Sequence, residues 1–138
     1  MLSAASLMLA CHAHGDQAVS AIDHEVKVEF FRHATQDATV ELRITNSSSQ
    51  PICLGPATFD PSSFSVKMDQ GMTQTRLPAV QGAGCELLGP GAVVTRSVNA
   101  GLGFSRLELQ TGRMCYHYAF ASAPTGPTTW QASSLVCE

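Results

Sequence analysis

Cys53, Cys85, Cys115, His117 and Cys137 are the residues of this chain best able to do chemistry. Thiols can pair with one another or, with an imidazole, hold a metal ion. A zinc site would draw on Cys53, Cys85, Cys115 and His117. However, no Cys-x-x-Cys pair is present and the spacings fit no common zinc module. Copper handling would join His to Met, but Met68, Met72 and Met114 form no His/Met ligand pattern and packing accounts for them better. His12 and His14 provide two imidazoles without a fixed third, and His24 and His33 carry no supporting signature. No metal ligand and no cofactor are therefore assigned. Disulfide chemistry remains, and four cysteines allow three pairings.

The strands that carry the cysteines narrow the choice. Along Met114 to Phe120 a two-residue alternation sends Met114, Tyr116, Tyr118 and Phe120 to one face and Cys115, His117 and Ala119 to the other. The closing segment Trp130 to Cys137 alternates too. Folded as an antiparallel hairpin around Gly126, the two place Cys115 opposite Cys137, with cysteines on the outer face and aromatics on the inner one. Cys53 is then left to Cys85. His117 falls on the outer face near Leu135, a position suited to a solvated residue.

No Gly-x-Ser-x-Gly, phosphate loop or His-Glu-x-x-His occurs, and Asp60, Asp69, Glu86 and Glu108 sit at turns or singly on strands. No catalytic residue is assigned. With 138 residues, 44% of them hydrophobic, the chain fits one domain. The charged fraction is 14%, the formal net charge is −3 and the basic residues are scattered, which argues against a nucleic-acid partner.

The fifth cysteine, Cys11, follows ten residues that are apolar or small and uncharged, from Met1 to Ala10. That run reads as the apolar part of an export signal and is shorter than the about 20 residues a membrane span needs. Met8-Leu9-Ala10-Cys11 resembles the lipobox of bacterial lipoproteins, although it has Met and Leu where Leu and a smaller residue are typical and no basic residue upstream. The resemblance implies lipidation of Cys11 and, with His12 rather than Asp in second place, an outer-membrane anchor facing the periplasm of a Gram-negative cell. Residues 11–23, small and polar at first, read as a tether, and 24–138 as the domain.

Within the domain, Val26 to Phe31, Val40 to Thr45, Ile52 to Leu54, Phe64 to Met68, Thr73 to Leu77 and Val93 to Val98 are short apolar or alternating runs divided by Gly, Pro, Ser and Asn clusters. No run of helical period stands out. The pattern predicts an all-β fold: an antiparallel immunoglobulin-like β-sandwich of about seven to eight strands, stabilised by disulfides, with a closed barrel as the alternative. Val40–Asn46, Phe64–Gly71, Leu88–Gly91 and Gly112–Tyr116 follow an order similar to that of small bacterial immunoglobulin-like domains such as the BsuPI-type proteinase inhibitors. Those inhibitors are cytosolic and lack disulfides, so the resemblance implies the fold and carries no inhibitory residue.

The expected function is that of an exported protein-binding module, an inhibitor or immunity protein for an exported hydrolase. Its contacts are expected on two disulfide-tied loops, at Ile52, Leu54, Glu86, Leu87 and Leu88. The alternatives are an envelope assembly component pairing through a strand edge and, less favoured, a metal-binding periplasmic protein.

Overall fold

The computed structural model describes residues 17–23, 26–33, 38–82, 84–122 and 131–138. The expected signal segment 1–10, Cys11, the start of the expected tether with His12 and His14, His24, and Gly126 and Trp130 of the expected closing hairpin lie outside them. The described residues form ten strands: β1 (Gln17–Asp23), β2 (Val26–Arg32), β3 (Thr39–Asn46), β4 (Ile52–Leu54), β5 (Phe64–Met68), β6 (Gly71–Gln74), β7 (Glu86–Leu88), β8 (Val93–Asn99), β9 (Arg113–Ser122) and β10 (Gln131–Cys137). One sheet runs β1-β2-β3-β8. The other runs β6-β5-β9-β4-β7 with β10 on the opposite edge of β9, and every pairing is antiparallel. β2, β3 and β8 stand where immunoglobulin-like sandwiches have strands A, B and E, and β5, β9 and β10 where they have C, F and G. The predicted sandwich is therefore present.

Alternation builds the core. Val26, Val28 and Phe30 of β2 and Val40, Leu42 and Ile44 of β3 are buried, and they share one cluster with Phe64, Met114, Tyr116, Tyr118 and Phe120 of the facing sheet. Phe30 meets Phe64 edge-on at 6.0 Å, and Phe64 lies 5.0 Å from Tyr116. Each such side chain contributes about 1.5–3 kcal/mol by leaving water. The phenol of Tyr116 stays in this core by donating to the Thr58 carbonyl at 2.9 Å. Burial, and then the neighbouring Tyr118, push its pKa up.

Besides β7, whose residues were expected in a loop, two elements depart from the sequence expectation. Residues 17–23, expected in the tether, form β1, paired with β2 from Gln17↔Arg32 to Asp23↔Val26. Backbone hydrogen bonding to an open edge makes this strand, and Ala and Ser leave too little apolar contrast for a period to show. The second is α1 (Arg106–Thr111), a six-residue helix too short for a helical period. Its signal was local: Ser105 accepts from the Glu108 backbone N–H while the Glu108 carboxylate accepts from that of Ser105, a capping box. Gly112 ends the helix where no side chain fits, since an added Cβ would lie 2.1 Å from Val66 Cγ1.

Arg76 binds Glu108 through both guanidinium nitrogens, at 2.8 and 3.0 Å. This hydrogen bonding, followed by that from Ser105, lowers the Glu108 pKa from 4.5 to about 2. A depressed carboxylate stabilises the fold above its ordinary pKa and loses that contribution as pH falls toward the depressed value. The clasp should therefore persist at pH 4 and open toward pH 2. A carbon-detected titration of Glu108 checks this: Arg76→Ala should bring the midpoint up toward 4.5, and an unchanged midpoint would show that Arg76 does not hold the carboxylate.

The two sheets are tied at one end by a largely buried ion pair. Arg32 of β2 bonds the Glu138 carboxylate at 2.7 and 3.2 Å and also donates to the Leu109 carbonyl, while Glu138 Oε1 accepts from the Met114 N–H at 2.9 Å. Gln17, Arg32, Thr39 and Asn99 of one sheet and Lys67, Arg113 and Glu138 of the other thus share this end, and α1 spans it. At the opposite end Asn46, fully buried, donates to the Gln50 and Leu88 carbonyls at 2.8 and 2.9 Å and accepts from Ser48, so the polar loop after β3 is fixed.

Candidate functional site

Both disulfides follow the pairing expected from strand geometry. Cys115 and Cys137 are register partners with Cα atoms 4.0 Å apart. Glu138 N–H bonds the Met114 carbonyl at 3.0 Å, which makes 114 with 138 a hydrogen-bonded pair and 115 with 137 a non-bonded one, the kind whose side chains approach most closely. Cys53 of β4 bonds Cys85, the residue before β7. All four thiols are consumed in two separate bridges, so the alternative set of Cys53, Cys85, Cys115 and His117 is not gathered at one point. Among the described residues no group of three or more His, Cys, Asp or Glu is placed to hold a metal.

The outer face of β9 differs from its expected character in one respect. His117 is exposed there, opposite Leu135, but Cys115, one half of the bridge, is fully buried. Ser65 of β5, also fully buried, meets His117 Nε2 with its hydroxyl at 3.2 Å. Sequence reading missed this pair because the residues lie 52 positions apart and are brought together only by the β5–β9 register. A serine beside a histidine is the start of a nucleophile and base. Here the hydroxyl has no exposed surface to offer a substrate, and the contact orients the imidazole on the sheet.

The five residues expected on partner-binding loops are instead in paired strands, with Ile52 opposite Leu88 and Leu54 opposite Glu86. Ile52, Leu54 and Leu88 belong to the core, a correction to their expected role as contacts. On β4, positions 52 and 54 share one face, and that face points between the sheets. Leu87 and Glu86 remain outside, Leu87 with 58% of its surface exposed.

Around these two residues the structure builds a fixed surface. Cys53–Cys85 ties the approach to β7 to β4, and Glu86 accepts from Arg96 of β8 at 2.7 Å, a bond between the two sheets. Arg96 has Val94 and Val98 for neighbours in its inward alternation, opposite Leu42, yet its guanidinium leaves the core and lies over the Phe59 ring at 4.5 Å. A shallow hollow of about 350 Å³ results, lined in part by Phe59, Asp60, Cys85, Glu86 and Arg96. It combines a stacked aromatic, a cation and two carboxylates on a covalently tied frame. Such a surface suits recognition, and among the described residues lining it there is no arrangement of nucleophile, base and oxyanion donors.

Comparison with protein-family models, with curated proteins and with solved structures finds no match to the chain.

Proposed function

We propose that this chain is an exported envelope lipoprotein, anchored through Cys11, whose sandwich binds another exported protein as an inhibitor or immunity protein for an exported hydrolase does. The observation that carries the reading is the pinned edge at β7. Leu87 is an exposed apolar side chain on a strand whose backbone is held by Cys53–Cys85 and by the Glu86–Arg96 pair. A partner meeting a surface already ordered loses less conformational freedom on binding. Two disulfides accord with an oxidising compartment.

A second reading, an assembly component pairing through a strand edge, draws on β8, whose outer edge has no strand partner among the described residues. Arg96 counts against it, because an inward-phased charge on an edge strand is one of the ways native sheets block such pairing.

The test is capture from an envelope extract by the full-length protein, with Leu87→Asp alongside. The first reading predicts recovery of a hydrolase whose activity falls on mixing, with affinity reduced about tenfold or more by the substitution. Reproducible recovery of no protein contradicts both readings, and equal capture by Leu87→Asp removes β7 from the interface.

A further inference from the structure

The end of the sandwich that carries α1 collects features with no role in the fold. Leu107 of α1 and Leu102 in the turn after β8 are 65% and 50% exposed. Glu108 is matched there by Arg76 and Glu138 by Arg32. Lys67, Arg106 and Arg113 have no ion-pair partner among the described residues, and the nearby described acids without an arginine or lysine partner are Asp69 in the β5–β6 turn and Glu41, which faces His33 at 3.6 Å. Three cations against two anions leave this end slightly positive on a chain whose formal net charge is −3.

The same end receives the chain from Cys11. Gln17, the first residue of β1, is the register partner of Arg32, and Arg32 touches Leu109 and Glu138. Six peptide steps separate Cys11 from Gln17, so the anchor reaches at most roughly 20 Å from this end. The ten-residue strand β9 alone spans roughly 33 Å. A lipid on Cys11 therefore keeps the α1 end within reach of the bilayer, closer to the anchor along the chain than the loop after β3.

We propose that this end is a membrane-docking face, in which Leu102 and Leu107 enter the headgroup region of an anionic bilayer while Lys67, Arg106 and Arg113 meet lipid phosphates. The inference rests on the lipid at Cys11 proposed above. Leucines flanked by cations are the composition that binds anionic interfaces, and each basic residue adds attraction that falls off within a Debye length. The β7 surface, toward the other half of the sandwich, then faces free solution.

Full-length protein is placed in phosphatidylethanolamine and phosphatidylglycerol vesicles with brominated acyl chains, in a Trp130→Phe background carrying either Leu107→Trp or, at the far end, Ser47→Trp. Both replaced positions are exposed, and circular dichroism checks folding. The docking face predicts quenching about threefold or more stronger at position 107 than at 47, weakening when phosphatidylcholine replaces the anionic lipid. Equal quenching at the two positions, or stronger quenching at 47, overturns it. Intact mass measured on the same samples separates the premises: acylated protein without quenching at 107 refutes the docking face alone, whereas protein without acyl groups removes the anchor and the inference with it.

Discussion

Replacing Arg32 with alanine should lower the free energy of unfolding by about 3–5 kcal/mol, a large share of a small domain's stability. The guanidinium and carboxylate of Arg32 and Glu138 are 14% and 9% exposed, so removing one partner leaves a charge with little water to receive it. The loss extends past the ion pair. Arg32 also caps the Leu109 carbonyl, and Glu138 stops holding the Met114 N–H in place once its own partner is gone. Glu138→Gln should cost less, because the amide keeps an acceptor for that N–H and Arg32 keeps its bond to Leu109. Urea unfolding of the two variants checks the order. An Arg32→Ala protein within about 0.5 kcal/mol of the parent would mean that the sheets are not joined through this pair.

The second large effect belongs to Cys115 and Cys137. Changing both to alanine should cost about 3 kcal/mol, chiefly by freeing the unfolded chain over a separation of 22 residues. Treatment of the parent with a thiol reductant, which opens Cys53–Cys85 as well, should cost at least as much. Paired removal of Cys53 and Cys85, by contrast, should loosen β7 and Leu87 first, since that strand has three residues and, among the described residues, only β4 beside it. Amide hydrogen exchange at 86–88 measures this directly. Parent protein with an unfolding midpoint indifferent to reductant would contradict the role given to the Cys115–Cys137 bridge.

What could be read in advance was whatever a period of two encodes. Val40 to Ile44 and Met114 to Phe120 announce their faces because large apolar and polar residues alternate without interruption, and the Cys115–Cys137 pairing follows from the same count. β1 escaped because small residues blur the contrast, and α1 because six residues do not complete two turns. The candidate surface was legible only in part. Joining 53 to 85 identified the right neighbourhood, but Ile52-Cys53-Leu54 and Glu86-Leu87-Leu88 are too short for alternation to show which leucine is buried. Arg96 and Phe59, Ser65 and His117, and Arg32 and Glu138 meet across sheets or strands at distances along the chain that no local pattern records.

The account as a whole requires that the chain leaves the cytoplasm, is anchored at Cys11 and oxidises its other four cysteines. Intact mass of the protein isolated from envelopes without reductant reports all three. The predicted species lacks residues 1–10, is diacylated at Cys11, and is four hydrogens lighter than the form with those four cysteines reduced, two for each bridge. A chain that retains Met1, bears no lipid and reacts as five free thiols would contradict it.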